Sequence, residues 1–208
     1  MQDKTDRPYH HGDLRRVVIE TAMAMLHDEK NWQFTLREVA RRAGVSHAAP
    51  YKHFADKAAL LAELAMLGFD QLREAMAAAK PLPCPSIQAE FFAVAQAYLR
   101  FGVSHSALYR LMFSADAGHA GDVHLGERAL AAFGLLIDLL ERGQREGVFR
   151  KRPVRSQAAA CWAQVHGLTL LTIDGLLLPE KVGPDAPEAA LVTLLEGIEI
   201  SRDEPTGV

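Results

Sequence analysis

Between positions 35 and 54 the chain reads Thr-Leu-Arg-Glu-Val-Ala-Arg-Arg-Ala-Gly-Val-Ser-His-Ala-Ala-Pro-Tyr-Lys-His-Phe. The chemistry available to these residue types is hydrogen bonding and charge pairing with a polyanion. His47 and Lys52 can donate to a guanine edge or a phosphate, and Ala48 can touch a thymine methyl. Tyr51 and His53 suit phosphate oxygens, contacts that position an element without reading sequence. The elements that must hold them are two short helices and a turn. Thr35 and Glu38 have the spacing of a capping box. Leu36, Val39 and Ala40 share one helical face, with Ala43 one turn on. Gly44 can take the positive φ that ends a helix. Ser46 is placed to cap a second helix over about 47–54, with Ala49 and Phe54 turned inward. This is a helix-turn-helix, which sets its second helix in the DNA major groove.

The run Thr-x-x-Glu-x-Ala-x-x-Ala-Gly-Val-Ser is followed by Tyr-x-His-Phe, Asp56-Lys57 and Leu60-Leu61. It resembles the DNA-binding domain of TetR-type repressors over residues 10–72. Taken with that resemblance, the expected DNA-contact set is Thr35, Arg37, Ser46, His47, Ala48, Tyr51, Lys52, His53 and Lys57. Pro50 stands where the family carries Leu or Ile; its missing N–H costs least in a first helical turn. Arg37 and Arg41, four apart, share a face and would add salt-dependent affinity. The alternative is that these arginines face solvent and pair with Glu38 or Asp28.

Composition bounds the class. The 208 residues are 49% hydrophobic with a net charge of −3, enough apolar matter for a core and too little charge bias for a bulk polyanion binder. The charge is uneven. Residues 1–60 carry 10 Lys and Arg against 8 Asp and Glu, and the remainder carries 13 against 18. That suits a small basic contact patch beside an acidic body. Two cysteines, Cys84 and Cys161, form neither a disulfide framework nor a zinc-finger spacing. His119 and His124 lack helical ligand spacing, and no nucleophile or phosphate-loop motif appears. No metal, cofactor or catalytic residue is expected. No apolar leader or membrane span is evident, so a soluble, cytoplasmic protein with no membrane partner is expected.

Helical periodicity predicts an all-α chain without a sheet. A first helix fits 13–27, and Asp56 caps a long one to about 79 with Leu60, Leu64, Leu67 and Leu72 inward. Three prolines within Pro-Leu-Pro-Cys-Pro at 81–85 break the chain. A second module over 84–202 then begins, with Ser86 capping a helix to about 102. Further helices fit 106–114, 123–145, 156–177 and 187–201.

The resemblance implies that this second module binds a small-molecule effector and forms a homodimer. Trp162, His166 and Gly167 resemble a Trp-His-Gly signature of one TetR C-terminal subfamily. Apolar and aromatic residues predict a pocket from Phe91, Phe92, Tyr98, Met112, Phe113, Phe133, Trp162 and His166. Trp162 and His166, four apart, point the same way. Leu168, Leu171, Gly175, Leu191, Leu194, Leu195 and Ile198 are expected at the dimer interface, with Gly175 letting helices approach. Both sets have a plainer reading as intrachain core. The chain therefore reads as a repressor that leaves double-stranded operator DNA when it binds a hydrophobic ligand. The rivals are a helical enzyme or binding protein whose first three helices dock protein, and a DNA-binding dimer blind to ligands.

Overall fold

The computed structural model describes residues 14–118, 123, 124 and 126–200. The expected start of the first helix at 13, the module ends at 10 and 202, and His119 lie outside those residues. Among the described residues the regular structure is helical, apart from one antiparallel bridge between Phe149 and Glu199. The first three helices are α1 (Leu14–Glu29), α2 (Leu36–Arg42) and α3 (Lys57–Ala78). After the proline segment come α4 (Ile87–Ser104) and α5 (Ser106–Met112). The chain ends with α6 (Glu127–Arg145), α7 (Val154–Ile173), the single turn α8 (Pro179–Val182) and α9 (Ala186–Ile198).

Helix starts follow side-chain caps. Asp56 accepts from the Ala59 N–H at 2.8 Å and opens α3, and Ser86 accepts from the Ala89 N–H at 3.1 Å and opens α4. On α1, Leu14, Val18, Ile19, Ala22, Met25 and Leu26 are buried. Val17 and Thr21 are only half-buried. On α3, Leu60, Leu64 and Leu72 turn inward as expected, while Leu67 is half-buried. The expected module end at 72 falls inside α3, which packs on α1 at one end and on α4, α5 and α6 along its length.

Three features correct the expected helix map. α7 stops at Ile173 rather than near 177. Gly175, at φ +66°, lets the Leu176 N–H reach back to the Leu171 carbonyl at 2.9 Å and the Gly175 N–H to Thr172 at 3.1 Å. That is a Schellman stop, so Gly175 ends the helix that sequence periodicity had carried past it. The segment after it carries the extra turn α8. Finally, the bridge at Phe149 binds the end of α9 to the loop after α6. The Arg150 N–H donates to the Ile198 carbonyl at 2.8 Å and the Ile200 N–H to Val148 at 3.0 Å.

Two glycines admit close neighbours in the second module. A Cβ on Gly102 of α4 would overlap the methyl of Thr169, which is fully buried on α7. A Cβ on Gly143 of α6 would overlap the ring of Phe149, also fully buried. Overpacking of this kind costs ~1–3 kcal/mol. Gly143→Ala is therefore expected to lower the unfolding free energy by that amount, read as a lower urea midpoint, and Gly134→Ala, where a Cβ meets nothing within 4 Å, is expected not to lower it. Equal midpoints for the two variants would show that the Phe149 contact is not tight.

Candidate DNA-binding turn and effector cavity

The capping box at the start of α2 is complete. The Glu38 N–H donates to Thr35 Oγ1 at 3.2 Å and the Thr35 N–H to Glu38 Oε2 at 2.7 Å. The Thr35 hydroxyl donates its proton to the same carboxylate at 2.9 Å. The Thr35 hydroxyl is thus engaged within the box, where it orients α2. Those bonds, first from the Thr35 backbone and then its hydroxyl, hold the Glu38 pKa below the ordinary value. Gly44, at φ +68°, ends α2 in a second Schellman stop. The Val45 N–H reaches Ala40 at 3.0 Å and the Gly44 N–H reaches Arg41 at 3.2 Å.

The second element departs from expectation. No regular α-helix spans 47–54; His47 and Ala48 lie in a turn, and a 3-10 turn covers Pro50–Lys52. Pro50 has no N–H to close an i→i−4 bond onto Ser46. The Ser46 carbonyl instead takes the Ala49 N–H at 2.9 Å, an i→i−3 bond, and Lys52 bonds Ala49 likewise at 3.2 Å. Ser46 consequently caps nothing. Ala49 occupies the N-cap of the 3-10 turn and makes no side-chain bond. Three residues at 2.0 Å each span ~6 Å, half the expected reach. The inward set is as read from sequence: Ala49 and Phe54 are buried, and Pro50 joins them.

His47, Ala48, Tyr51, Lys52 and His53 are all exposed, Tyr51 to 51%. Arg37 is exposed on α2. Of the three arginines of α2, Arg37, Arg41 and Arg42, it is Arg42 that pairs with Asp28. Lys57 is half-buried with Nζ 5.7 Å from the Phe34 ring centre, a cation–π seat that fixes it at the start of α3.

The second module holds a cavity of about 430 Å³. Of the expected pocket residues, Phe91, Tyr98, Phe113, Phe133 and Trp162 line it. Met112 does not; it is fully buried against Gly68 of α3. Phe92 packs beside the core and His166 stands one layer behind the wall. Sequence reading missed the contribution of α3, which supplies Phe69, Leu72 and Met76, and, beside the expected Phe133, the further α6 residues Leu136 and Leu139. His124, Arg155 and Cys161 were missed as well. The signal was present in the apolar face of α3, but which cavity that face meets depends on helix crossings.

A polar chain stands at one side of the cavity. Trp162 Nε1–H donates to Tyr98 Oη at 3.2 Å. The Tyr98 and Tyr109 hydroxyls are 3.0 Å apart, and Tyr109 Oη lies 2.6 Å from His166 Nδ1. Burial pushes the Tyr98 pKa up to about 12 and raises that of Tyr109 further. Burial likewise pushes the Cys161 thiol up to about 11. Both phenols and the thiol therefore stay protonated. Burial lowers the pKa of His124, and burial followed by the nearby His124 lowers that of His166.

The residues expected at a dimer interface divide. Leu168, Leu191, Leu194 and Ile198 are buried inside the protomer, so they serve its own core. Leu195 is half-buried, and Leu171 is 41% exposed.

Residues 18–64 match the family model for bacterial regulatory proteins of the tetR family, and residues 91–197 match that for the tetracyclin repressor-like C-terminal domain. The chain belongs to the TetR family. It is 30% identical over 165 residues to the HTH-type transcriptional regulator BetI of Cronobacter sakazakii, spanning 79% of this chain and 77% of that one. Among solved structures it resembles a protein of unknown function from Rhodococcus sp. RHA1, at 34% identity and a TM-score of 0.79. That match covers 94% of this chain and all of the other. A tetR family regulator from Shewanella sp. PV-4 shares the fold at 18% identity and a TM-score of 0.68, over 90% of this chain and 98% of its own. The family and the fold make this TetR-type chain a DNA-binding transcriptional regulator. Among the described residues, no three His, Cys, Asp or Glu converge as metal ligands, and no helix is long and apolar enough to cross a membrane.

The histidines set a pH dependence. With folded pKa values below the ordinary one, His124 and His166 are neutral in the fold where the unfolded chain would already take protons, near ~6.5. Their contribution is full above that pH and is lost as pH falls through the lowered folded values. The urea midpoint is expected to fall between about pH 7.5 and about pH 5.5, and to fall less in His166→Gln. An identical fall in both proteins would exclude His166 as the responsible group.

Proposed function

We propose that the chain is a homodimeric repressor that reads an operator with the turn at 47–53 and releases it when a small, mostly apolar ligand enters the cavity. The observation that carries this reading is the double duty of α3. Its first turns anchor the recognition turn through Leu60 and Leu61, which are buried with Phe54 in one core. Farther along, Phe69, Leu72 and Met76 form part of the cavity wall. A ligand that pushes on that wall moves the helix that carries the DNA contacts.

Two side contacts reinforce the connection. Trp32 Nε1–H, just before α2, donates to Asp116 Oδ2 at 2.7 Å, in the segment that follows α5. Arg128, at the start of α6, lies 3.4 Å from Asp70 and 3.7 Å from Glu63 of α3. A change of shape around α6 is thus felt along the middle turns of α3, at Glu63 and Asp70.

Dimerisation is supported by the outer faces of α7 and α9. Ala160, Ala163, Gly167 and Leu171 are spaced along one side of α7 and, apart from the half-buried Gly167, exposed; Val192 is exposed on α9. Small residues let helices approach closely, and two-fold operator reading needs two recognition elements one helical turn apart. The similarity of Trp162, His166 and Gly167 to the Trp-His-Gly signature supports a place in that subfamily for the second module, and the apolar cavity favours a ligand-responsive regulator over a ligand-blind one.

A mobility-shift selection from genomic fragments tests the reading. One operator is expected to be retained selectively. Lys52→Ala or His47→Ala should weaken it by ~1–3 kcal/mol relative to random DNA. Leu171→Glu should give monomers that no longer shift it. Retention of random and selected fragments alike, or a wild-type monomer that binds one half-site tightly, would overturn the proposal. For a hundredfold change in occupancy, the ligand must discriminate the two states by ~2.7 kcal/mol, and operator DNA must weaken ligand binding by the same factor.

A further inference from the structure

We propose that the effector is a monoanionic amphiphile whose apolar body fills the cavity and whose carboxylate-type head pairs with Arg155; this rests on reading the cavity as the effector site. No Asp or Glu stands among the residues that line it. The ionisable groups there are Arg155, His124, Tyr98 and Cys161. The phenol and the thiol are held protonated by burial, and the imidazole is held toward its neutral form. A guanidinium stays charged throughout. One positive charge, carried on an exposed side chain, therefore borders an otherwise uncharged, apolar space.

That charge is unspent. Arg155 makes no ion pair among the described residues, whereas Arg142 of α6 is held by Glu90 at 2.5 and 3.0 Å. Arg155 also sits in the first turn of α7, where the helix dipole favours an anion. A cationic ligand would enter a space with no counter-charge and one like charge on its wall, which is unfavourable in an apolar setting. The rings of Phe113, Phe133 and Trp162 are the one feature that would suit a cation, so a cationic head is the rival to be tested.

The wall also sets a length. Arg155, Ala159 and Trp162 line the cavity from successive turns of α7. Seven residues at 1.5 Å place the charged end ~10 Å from the Trp162–Tyr98 end. Between them the space is bounded by Phe91, Val94, Leu136 and Leu139. The far end is neutral and adaptable. With the proton on His166 Nδ1, the donors run from His166 to Tyr109 to Tyr98, and the Tyr98 proton is free for a ligand oxygen. With the proton on Nε2 the run reverses, and Tyr98 offers a lone pair instead. A saturated chain of about ten carbons spans such a site, and the 430 Å³ volume lies within the usual range for small-molecule sites.

Titration calorimetry on the full chain with three probes of one tail and three heads tests this: decanoate, decan-1-ol and decyltrimethylammonium, each below its aggregation concentration. Decanoate is expected to bind at least about tenfold more tightly than either other probe. Arg155→Gln should reduce decanoate to the level of decanol while decanol is unchanged. Leu136→Trp, which fills the cavity, should abolish binding of all three. Equal or tighter binding of the alcohol or the ammonium, or a decanoate preference that survives Arg155→Gln, overturns the anionic class and leaves the effector site standing. Wild-type decanoate affinity in Leu136→Trp places the site outside the cavity and overturns the proposal. If none of the three binds to protein that still shifts its operator, the effector reading of the cavity falls with it.

Discussion

The burial of Leu60, Leu61 and Leu64 under the first helices and of Phe69, Leu72 and Met76 beside the cavity occurs on a single helix, α3. Each fully buried side chain of this kind contributes ~1.5–3 kcal/mol relative to exposure. The helix therefore cannot detach from either neighbour without losing much of a typical domain's stability. It can shift only as a body, with both sets of contacts carried along. This constraint stiffens the turn at 47–53 even though it has just three residues of 3-10 structure. The turn is held from beneath by Ala49, Pro50 and Phe54 and not by its own ladder of hydrogen bonds.

The cavity sits where that stiffness is most useful and most costly. A core is normally filled, and empty volume forfeits contacts on every side. Here the surrounding rings brace one another instead. Phe113 stacks on His124 at 5.4 Å between ring centres and meets His166 edge-on at 4.4 Å, and Phe133 meets Trp162 edge-on at 6.1 Å. The polar chain through Tyr98, Tyr109 and His166 fixes the other side. Beyond it, the Glu90–Arg142 pair fastens α4 to α6. Burial acts to raise the Glu90 pKa, but the bonds and charge of Arg142 outweigh it and leave the value lowered.

How much of this was legible in sequence depended on whether the determinant was local. Thr35 with Glu38, Gly44, Asp56 and Ser86 were readable because caps and stops are decided within four or five residues. Pro50 was readable as an oddity, yet its consequence was understated: one missing N–H, next to a turn, converts a short helix into a 3-10 turn. Gly175 was misread because a glycine near a helix end serves equally as a close-packing site and as a stop, and only the backbone angle separates the two. The leucines of α7 and α9 show the limit of periodicity. It identifies an apolar face but not which neighbour covers it, so Leu168, Leu191, Leu194 and Ile198 went to the protomer's own core. The cavity wall from α3, and that from α6 beyond Phe133, were illegible for the same reason, since they arise from crossings of helices far apart in the chain.

The chain contains two tryptophans, and the fold sets one at each end of the connection just described. Trp162 stands in the cavity wall, and Trp32 is bonded to Asp116 at the junction of the two modules. Indole emission responds to polarity, hydrogen bonding and neighbouring rings, so the molecule carries two built-in optical reporters with separate assignments. Removing the junction indole leaves a signal from the cavity alone; removing the cavity indole leaves one from the junction alone. On the proposed reading, arrival of a ligand and movement of the DNA-binding module would be timed independently in the same protein, without any attached dye.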